Sequence, residues 1–208
     1  MADFLPHVGA ALVTACIILT FLRRFSDRRA TMVLCFALSF VILLIPISNY
    51  PASHYIRVLT GDLSIFGFFW LGAAAVQVLA TSSRFYTRQE RHIAMALLVA
   101  ALVLYPSALG LSPLDSYSIG YLPNHLGPAV FILFLCALWL NYWVAAAGLA
   151  AALFAFYFSA LESNNLWDYL MDPVIVFYSI FILMKTSGAK NSAKSTGPLG
   201  DPLLTKQK

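Results

Sequence analysis

Long apolar stretches separated by short polar segments run through almost the whole chain. A helix that crosses the roughly 30 Å hydrocarbon core of a bilayer needs about 20 mostly apolar residues. Four stretches satisfy this requirement, at residues 4–22, 31–48, 63–81 and 93–110. The pattern therefore predicts an all-α fold, a polytopic bundle of transmembrane helices.

A fifth apolar stretch, residues 128–161, is too long for one crossing and short for two. In its middle, the amide of Asn141 is followed by two aromatic residues. An amide beside two interfacial aromatic side chains is typical of a turn at a membrane surface. We therefore predict two spans, 128–141 and 144–161, and keep one continuous span as the alternative.

The last predicted span covers residues 165–184 and brings the total to seven. Asn165 is suited to cap the N-terminus of this helix, since its side chain accepts backbone N–H groups. Pro173 lies in the first half of the span, where it cannot donate the usual helical hydrogen bond. The sequence thus predicts either a kink at this point or a new first turn that Asp172 caps.

The basic residues test the count independently, because the cytoplasmic loops of membrane proteins are enriched in Lys and Arg. With the N-terminus outside and the C-terminus cytoplasmic, all of the 13 basic residues except Arg57 fall on the cytoplasmic side. We predict a transmembrane domain, residues 1–185, followed by a disordered cytoplasmic tail, residues 186–208, which has almost nothing to bury. A multi-pass location in a bacterial inner (plasma) membrane follows.

Composition excludes two broad classes of protein. The chain is 61% hydrophobic, and only 11% of its residues are charged, whereas roughly 25% are charged in soluble domains. A water-soluble protein is therefore excluded. The net charge of +4 does not indicate nucleic-acid binding, because the basic residues stand between apolar stretches and not along a polar face. The three cysteines also lie inside apolar stretches without a paired motif, so neither a disulfide framework nor a metal site is predicted, and no cofactor is indicated.

Candidate chemistry gathers in the predicted outer loops, since the centres of the spans carry no ionisable residue. Carboxylates and imidazoles near each other can perform acid–base catalysis, and a lone outer Arg can hold an anionic head group. The candidate catalytic residues are His54, Asp62, Asp115, His125 and Asp168, and the candidate ligand-binding residues are Arg57, Trp167 and Asp172. The structural alternative is that Asp62 and Asp172 cap helices, that Arg57 pairs with Asp62 or Asp115, and that Trp167 belongs to an interfacial aromatic belt.

Stripes of small residues at 72–75 and 145–152 allow close helix packing, either within the chain or against a partner. Three function classes remain. The first is a non-catalytic membrane subunit or assembly factor, with a membrane protein or a second copy of the chain as its partner. The second is a carrier or flippase for a neutral or amphiphilic small molecule, with aromatic residues such as Trp70 along its pathway. The third is an enzyme that acts on a lipid-linked substrate at the outer membrane face. Membrane lipids are expected partners in all three, and nucleic acid in none.

Overall fold

Nine α-helices make up most of the residues described by the computed structural model, which are 4–22, 28–47, 50–81, 87–113 and 115–195. The helices are α1 (Phe4–Leu22), α2 (Arg29–Leu44), α3 (Ala52–Thr60), α4 (Ile65–Thr81), α5 (Arg88–Ala108), α6 (Pro123–Trp139), α7 (Trp143–Tyr157), α8 (Leu166–Leu170) and α9 (Pro173–Ser195). Two strands of two residues, β1 (Pro46–Ile47) and β2 (Tyr50–Pro51), pair antiparallel before α3. A 3₁₀ turn, Ser118–Tyr121, precedes α6. The prediction of an all-α protein is confirmed.

Within the described residues, α5 is the one helix that is both long and apolar enough to cross a membrane. Its 21 residues correspond to a length of about 31 Å, and only 22% of its most apolar 18-residue segment is buried in the structure. The other apolar helices are shorter by this test, and α7, with 15 residues, extends about 22 Å. The structure thus supports one membrane span, and the count of seven stays a prediction.

In the structure, two helices, α6 and α7, share residues 128–161, and their identity as two spans stays a prediction. The chain turns at residues 140–142, where the Asn141 φ is 60° and the Tyr142 N–H donates to the carbonyl of Ala137 at 2.8 Å. Asn tolerates this left-handed conformation better than most residues with a side chain. The amide that marks the turn in the sequence therefore occupies the position that reverses the chain.

The predicted last span is divided into α8 and α9, which meet at Met171 and Asp172. Asn165 caps α8, because its Oδ1 accepts from the Trp167 N–H at 2.9 Å. Asp172 caps α9, because its Oδ1 accepts from the Ile175 N–H at 3.0 Å. Of the two alternatives at Pro173, the new first turn is the observed one.

The structure corrects two predicted boundaries. Residues 52–60, which we predicted as part of an outer loop, form α3, with Ser53 buried against α1 and Gly61 ending the helix at φ 74°. Helix α9 continues to Ser195, ten residues into the predicted disordered tail. Extending a helix that α9 has already nucleated costs less free energy than starting a new one. Residues 196–208 of the predicted tail lie outside the described residues.

The small-residue stripe at 145–152 packs within the chain. Helix α7 lies against α4 and α6, and Ala145, Ala146 and Ala152 are buried there. A Cβ added to Gly148 would lie 2.9 Å from Cδ2 of Phe66 on α4, closer than real Cβ contacts allow. Helix α5 packs on α9, and α1 packs on α2, α3 and α4. Close packing of α4 on α7 is thus the observed role of the stripe at 145–152.

Candidate functional site: a polar cluster and a cleft

Two sets of hydrogen-bonded side chains lie near the starts of α4, α8 and α9, and we refer to them together as the polar cluster. Helix α4 packs against α8, and α8 lies directly before α9 in the chain. The cluster contains Ser64, Tyr117, Ser163, Asn165, Asp168 and Asp172. Two of these, Asp168 and Asp172, are among the site residues that the sequence predicts.

Asp172 joins the N-termini of two helices that are distant in sequence. Its Oδ2 accepts from the backbone N–H of Ser64 at 2.9 Å and from the Ser64 hydroxyl at 2.6 Å. Ser64 Oγ in turn accepts from the Gly67 N–H at 3.0 Å, so Ser64 is the residue that caps α4. The prediction that Asp62 provides this cap is therefore wrong, because the helix begins at Ile65 and Ser64 is next to it.

The environment of Asp172 is suited to holding a carboxyl group in one place. The residue is 4% exposed and lies between α8 and α9, outside the long apolar helices. Burial raises the pKa of the Asp172 carboxyl above its ordinary value, and hydrogen bonds from Ser64 and from the backbone of Ile175 and Val174 oppose that rise. Both carboxylate oxygens are engaged by the protein, and the positive ends of two helix dipoles face them.

Asp168 is engaged in the same way by side chains from two other segments. Tyr117 donates its hydroxyl to both carboxylate oxygens, at 3.2 and 3.3 Å, and Ser163 donates its hydroxyl to Oδ2. Burial, followed by the charge of Asp168, raises the pKa of the Tyr117 phenol well above its ordinary value. Tyr117 thus remains a protonated donor at physiological pH.

Asn165 and Trp167 connect α8 to the segment before α6. Asn165 donates its side-chain N–H to the carbonyl of Tyr117 at 3.1 Å, and the Trp167 indole donates to the carbonyl of Ser116 at 3.0 Å. The 3₁₀ turn approaches so closely that a Cβ added to Gly120 would lie 1.8 Å from Oδ1 of Asn165. The indole N–H of Trp167, a predicted ligand-binding group, is therefore used to join two parts of the chain.

Arg57 forms the structural pair that the sequence offers as one alternative. Its guanidinium group contacts both carboxylate oxygens of Asp62, with Nη2 and Oδ2 3.0 Å apart. A second carboxylate, Glu162, lies 3.9 Å away. The other proposed partner, Asp115, accepts from the Ser118 N–H at 3.0 Å in a local turn.

The two candidate histidines lie apart from this network. His54 stacks on Tyr50 with ring centroids 4.4 Å apart and lies 5.8 Å from the His7 ring, while His125 is exposed in the first turn of α6. The predicted residues thus belong to several separate sets and not to one centre. No group of three or more His, Cys, Asp or Glu side chains is placed to hold a metal ion in the part of the chain that the structure describes.

Sequence reasoning missed four residues that organise the cluster: Ser64, Tyr117, Gly120 and Ser163. Ser64 was recognisable, since a Ser directly before an apolar stretch is a common N-cap. Gly120 and Ser163 gave no such signal, because their importance depends on neighbours that are 45 and 5 residues away in the sequence.

A second feature is a cleft between α4, α5 and α7, which we call the Trp70 cleft. It has a volume of about 200 Å³, and its walls include Trp70, Ala73, Gln77, Glu90, Tyr142 and Ala145. Two contacts involve its lining residues: His92 Nδ1 lies 2.8 Å from the Tyr142 hydroxyl, and Thr87 and Glu90 form a capping box at the start of α5. Trp70 is 2% exposed, and its indole N–H is buried without a hydrogen-bond partner among the described residues.

Comparison with known proteins gives no match: no protein family, curated protein or solved structure is significantly similar to this chain.

Proposed function

We propose that the chain is a multi-pass membrane protein that acts as a non-catalytic subunit or assembly factor in a membrane complex. Seven helices, α1, α2, α4, α5, α6, α7 and α9, form its spans, with the N-terminus outside and the polar cluster at the outer face. The membrane is the inner (plasma) membrane of a bacterium. The partner is a membrane protein or a second copy of the chain, surrounded by membrane lipids.

Exposed apolar side chains support the membrane assignment. Leu102 on α5 is 75% exposed and Phe177 on α9 is 72% exposed, as expected for side chains that contact lipid. The shorter helices fit if the bilayer thins locally or if flanking aromatic residues such as Trp139 and Tyr157 lie at the interfaces. The distribution of basic residues supports the orientation.

One observation carries the proposal of a non-catalytic role: the acidic candidates of the outer face are engaged within the chain. Asp62 pairs with Arg57, Asp168 accepts from Tyr117 and Ser163, and Asp172 caps α9 while it binds Ser64. A general acid or base needs a carboxyl group that can reach a substrate, and a head-group site needs a guanidinium that is open to an anion. These contacts favour a polar cluster that holds helix ends together.

The topology is tested by labelling single cysteines from outside intact cells, in a background where the three native cysteines are replaced. His125→Cys should react with a membrane-impermeant maleimide, whereas Gln89→Cys and Lys208→Cys should react only after the cells are opened. Reaction of Lys208→Cys in intact cells would instead place the C-terminus outside and would overturn the count of seven.

The subunit role is tested by chemical crosslinking in intact membranes, followed by extraction in mild detergent and native mass spectrometry. We expect a fixed-stoichiometry complex with one membrane protein or with a second copy of the chain. A chain that remains alone, both after crosslinking and in native spectra, would contradict the proposal. Variants of the polar cluster should lower the yield of folded chain and of complex in the same proportion.

A further inference from the structure

We infer that a cleft between α6, α7 and the loop before α8 binds a neutral sugar ring, as a free saccharide or as the head group of a glycolipid. We call it the Ser159 cleft, and its walls include Tyr121, Gly127, Phe156, Tyr157, Ser159 and Asn164. The inference goes beyond the proposed subunit role, since a protein that only holds helices together needs no ligand. Its failure would leave that role untouched.

The size and rigidity of the cleft are the first argument. Its volume of about 510 Å³ lies within the range of roughly 300–1,000 Å³ that is usual for small-molecule sites. Gly127 on α6 leaves space in the wall, because a Cβ added there would meet nothing within 4 Å. The Tyr169 hydroxyl fixes the loop before α8, since it accepts from the Leu161 N–H at 3.1 Å and lies 3.1 Å from the carbonyl oxygen of Ser163. A site that is already formed loses little free energy to reorganisation when a ligand enters.

The backbone at Ser159 is the second argument. Helix α7 ends in a Schellman motif, in which the Ala160 N–H donates to the carbonyl of Ala155 at 2.9 Å and the Ser159 N–H donates to that of Phe156 at 3.0 Å. Ser159 occupies the left-handed position of the motif, with φ 50°, where Gly is the usual and least strained residue. At the end of α5 the corresponding residue is Gly110, with φ 70°. A strained serine in the wall of a cleft indicates that its hydroxyl group has a role there.

The polar groups of the cleft are accessible to a ligand. Ser159 and Asn164 are both exposed, and neither the Ser159 hydroxyl nor the Asn164 amide has a hydrogen-bond partner among the described residues. Each of these groups both donates and accepts hydrogen bonds, as the hydroxyl groups of a sugar require. The rings of Tyr121 and Tyr157 are 54% and 82% exposed, so they offer flat surfaces for the C–H faces of a sugar ring.

The absence of charge decides that the sugar is neutral. In the part of the chain that the structure describes, no Lys, Arg, His, Asp or Glu lines this cleft. A charged ligand would lose hydration without meeting a compensating charge. A neutral sugar needs only the hydroxyl, amide and aromatic groups that the walls provide.

The test uses the full chain in phosphatidylcholine nanodiscs, with 3-fluorotyrosine in place of its ten tyrosines. The ¹⁹F signals of Tyr121 and Tyr157 are assigned from the variants Tyr121→Phe and Tyr157→Phe. The probes are the methyl glycosides of glucose, galactose, mannose and N-acetylglucosamine. We expect at least one of them to shift both signals in a saturable manner.

Alkyl-chain probes distinguish the two sources of the sugar. The octyl glycoside of the sugar that binds best is compared with octyl tetraethylene glycol, which has the same chain and a neutral polar group without a ring. Both are used below the concentration at which they form micelles. An octyl glycoside that binds at least about tenfold more tightly than the methyl glycoside identifies a glycolipid head group, and equal affinities identify a free saccharide. Octyl tetraethylene glycol should not shift the two signals.

The decisive variant is Ser159→Gly, which removes the hydroxyl group and relieves the backbone strain. It should weaken binding of the glycoside about tenfold while the chain stays at least as stable as the wild type. Asn141→Gly is the matched control, because Asn141 occupies the same left-handed position at the end of α6, with φ 60°. Helix α7, about 22 Å long, separates it from Ser159, so it should leave binding unchanged.

A second variant tests the space. Gly127→Leu places a large side chain in the cleft and should abolish binding of every glycoside. Gly72→Leu on α4 is its control, since an added Cβ there also meets nothing within 4 Å, and it should bind as the wild type does.

Binding of none of the glycosides would overturn the inference, as would equal affinity for the wild type and for Ser159→Gly. Binding that survives Gly127→Leu, or equal shifts caused by octyl tetraethylene glycol, would also overturn it. If Gly127→Leu fails to fold, the comparison of Ser159→Gly with Asn141→Gly still decides the question. The subunit role is tested separately, by the crosslinking experiment.

Discussion

The polar cluster and the Trp70 cleft both bury polar groups between helices, but they satisfy them differently. In the cluster, Asp172 and Asp168 each accept at least two hydrogen bonds from the chain itself. At the cleft, the Trp70 N–H is fully buried and has no partner among the described residues. Buried polarity alone therefore does not identify a binding site.

The largest effect on stability is expected at Gly120, where the close packing of the cluster leaves no space for an added methyl group. Gly120→Ala places a methyl group 1.8 Å from Oδ1 of Asn165, which must then give up its hydrogen bonds to Trp167 and Tyr117. We expect the free energy of unfolding to fall by about 3 kcal/mol. The measurement is an unfolding titration with SDS in mixed micelles.

The matched control for this change is Gly127→Ala, because an added Cβ there meets nothing within 4 Å. Its unfolding free energy should stay within about 0.5 kcal/mol of the wild type. If the two variants were equally stable, the close packing of the 3₁₀ turn on Asn165 would be disproved, and the cluster would be as open as the cleft.

A second, smaller effect is expected at Gly67 on α4. A Cβ at Gly67 would lie 2.7 Å from Ile175 and 2.9 Å from Oδ2 of Asp172, so Gly67→Ala should separate α4 from the start of α9 at a cost of about 2 kcal/mol. Gly72→Ala, on the same helix, meets nothing within 4 Å and should be neutral or slightly stabilising. Thermal unfolding of both variants in the same detergent would show the difference, and an unchanged Gly67→Ala would argue against a tight junction.

The third prediction concerns the pH dependence of stability. Because burial raises the pKa of Asp172 in the folded protein, the folded state binds this proton more tightly than the unfolded state, where the pKa is about 3.9. Its contribution to stability is complete below about pH 3.9 and is lost as the pH rises through the folded pKa. Relative to Asp172→Asn, which does not titrate, the wild type should lose about 1.4 kcal/mol for each unit by which the pKa is raised.

The measurement is a series of unfolding titrations of both proteins from pH 4 upward. A wild type that gains stability over Asp172→Asn as the pH rises would show that the hydrogen bonds from Ser64 and Ile175 outweigh the burial of the charge. Asp172 would then resemble an ordinary ionised helix cap.

The smallest effect is expected at Glu162. Its carboxylate is 65% exposed and lies 3.9 Å from the Arg57 guanidinium, which already contacts Asp62. Exposed ion pairs of this kind contribute little, so Glu162→Gln should change the unfolding free energy by less than about 0.5 kcal/mol. A larger loss in the same unfolding assay, removed by high salt, would show that Glu162 stabilises the fold through Arg57 together with Asp62.

Local patterns in the sequence were sufficient for much of the fold. Apolar stretches of helical length predicted α1 with its observed bounds, and the polar group at Asn141 predicted the turn between α6 and α7. Asn165 and Asp172 were recognisable as caps because capping depends on backbone groups two or three residues away. Helix α3 was missed because the sequence analysis looked for apolar stretches of about 20 residues, and α3 is an amphipathic helix of nine residues.

The candidate site was less predictable, since its important contacts join residues that are far apart in sequence. Asp168 and Asp172 were identified as chemically interesting, but Tyr117 and Ser64, which engage them, lie 51 and 108 residues away. Without the positions of those donors, the sequence does not distinguish catalytic carboxylates from structural ones. Trp70 was named only as one aromatic residue among several, because an unsatisfied N–H is a property of its surroundings and not of its residue type.

The hydrogen bonds between Ser64 and Asp172 also have a consequence for synthesis of the chain. A ribosome adds about 5–20 residues per second, so the start of α4 exists for roughly 5–20 s before residue 172 has been made. During that interval the Ser64 N–H needs water or another acceptor, and α4 cannot take its final place beside α9. The contact is completed only when nearly all of the helical chain is present, so the chain itself distinguishes a finished molecule from a truncated one.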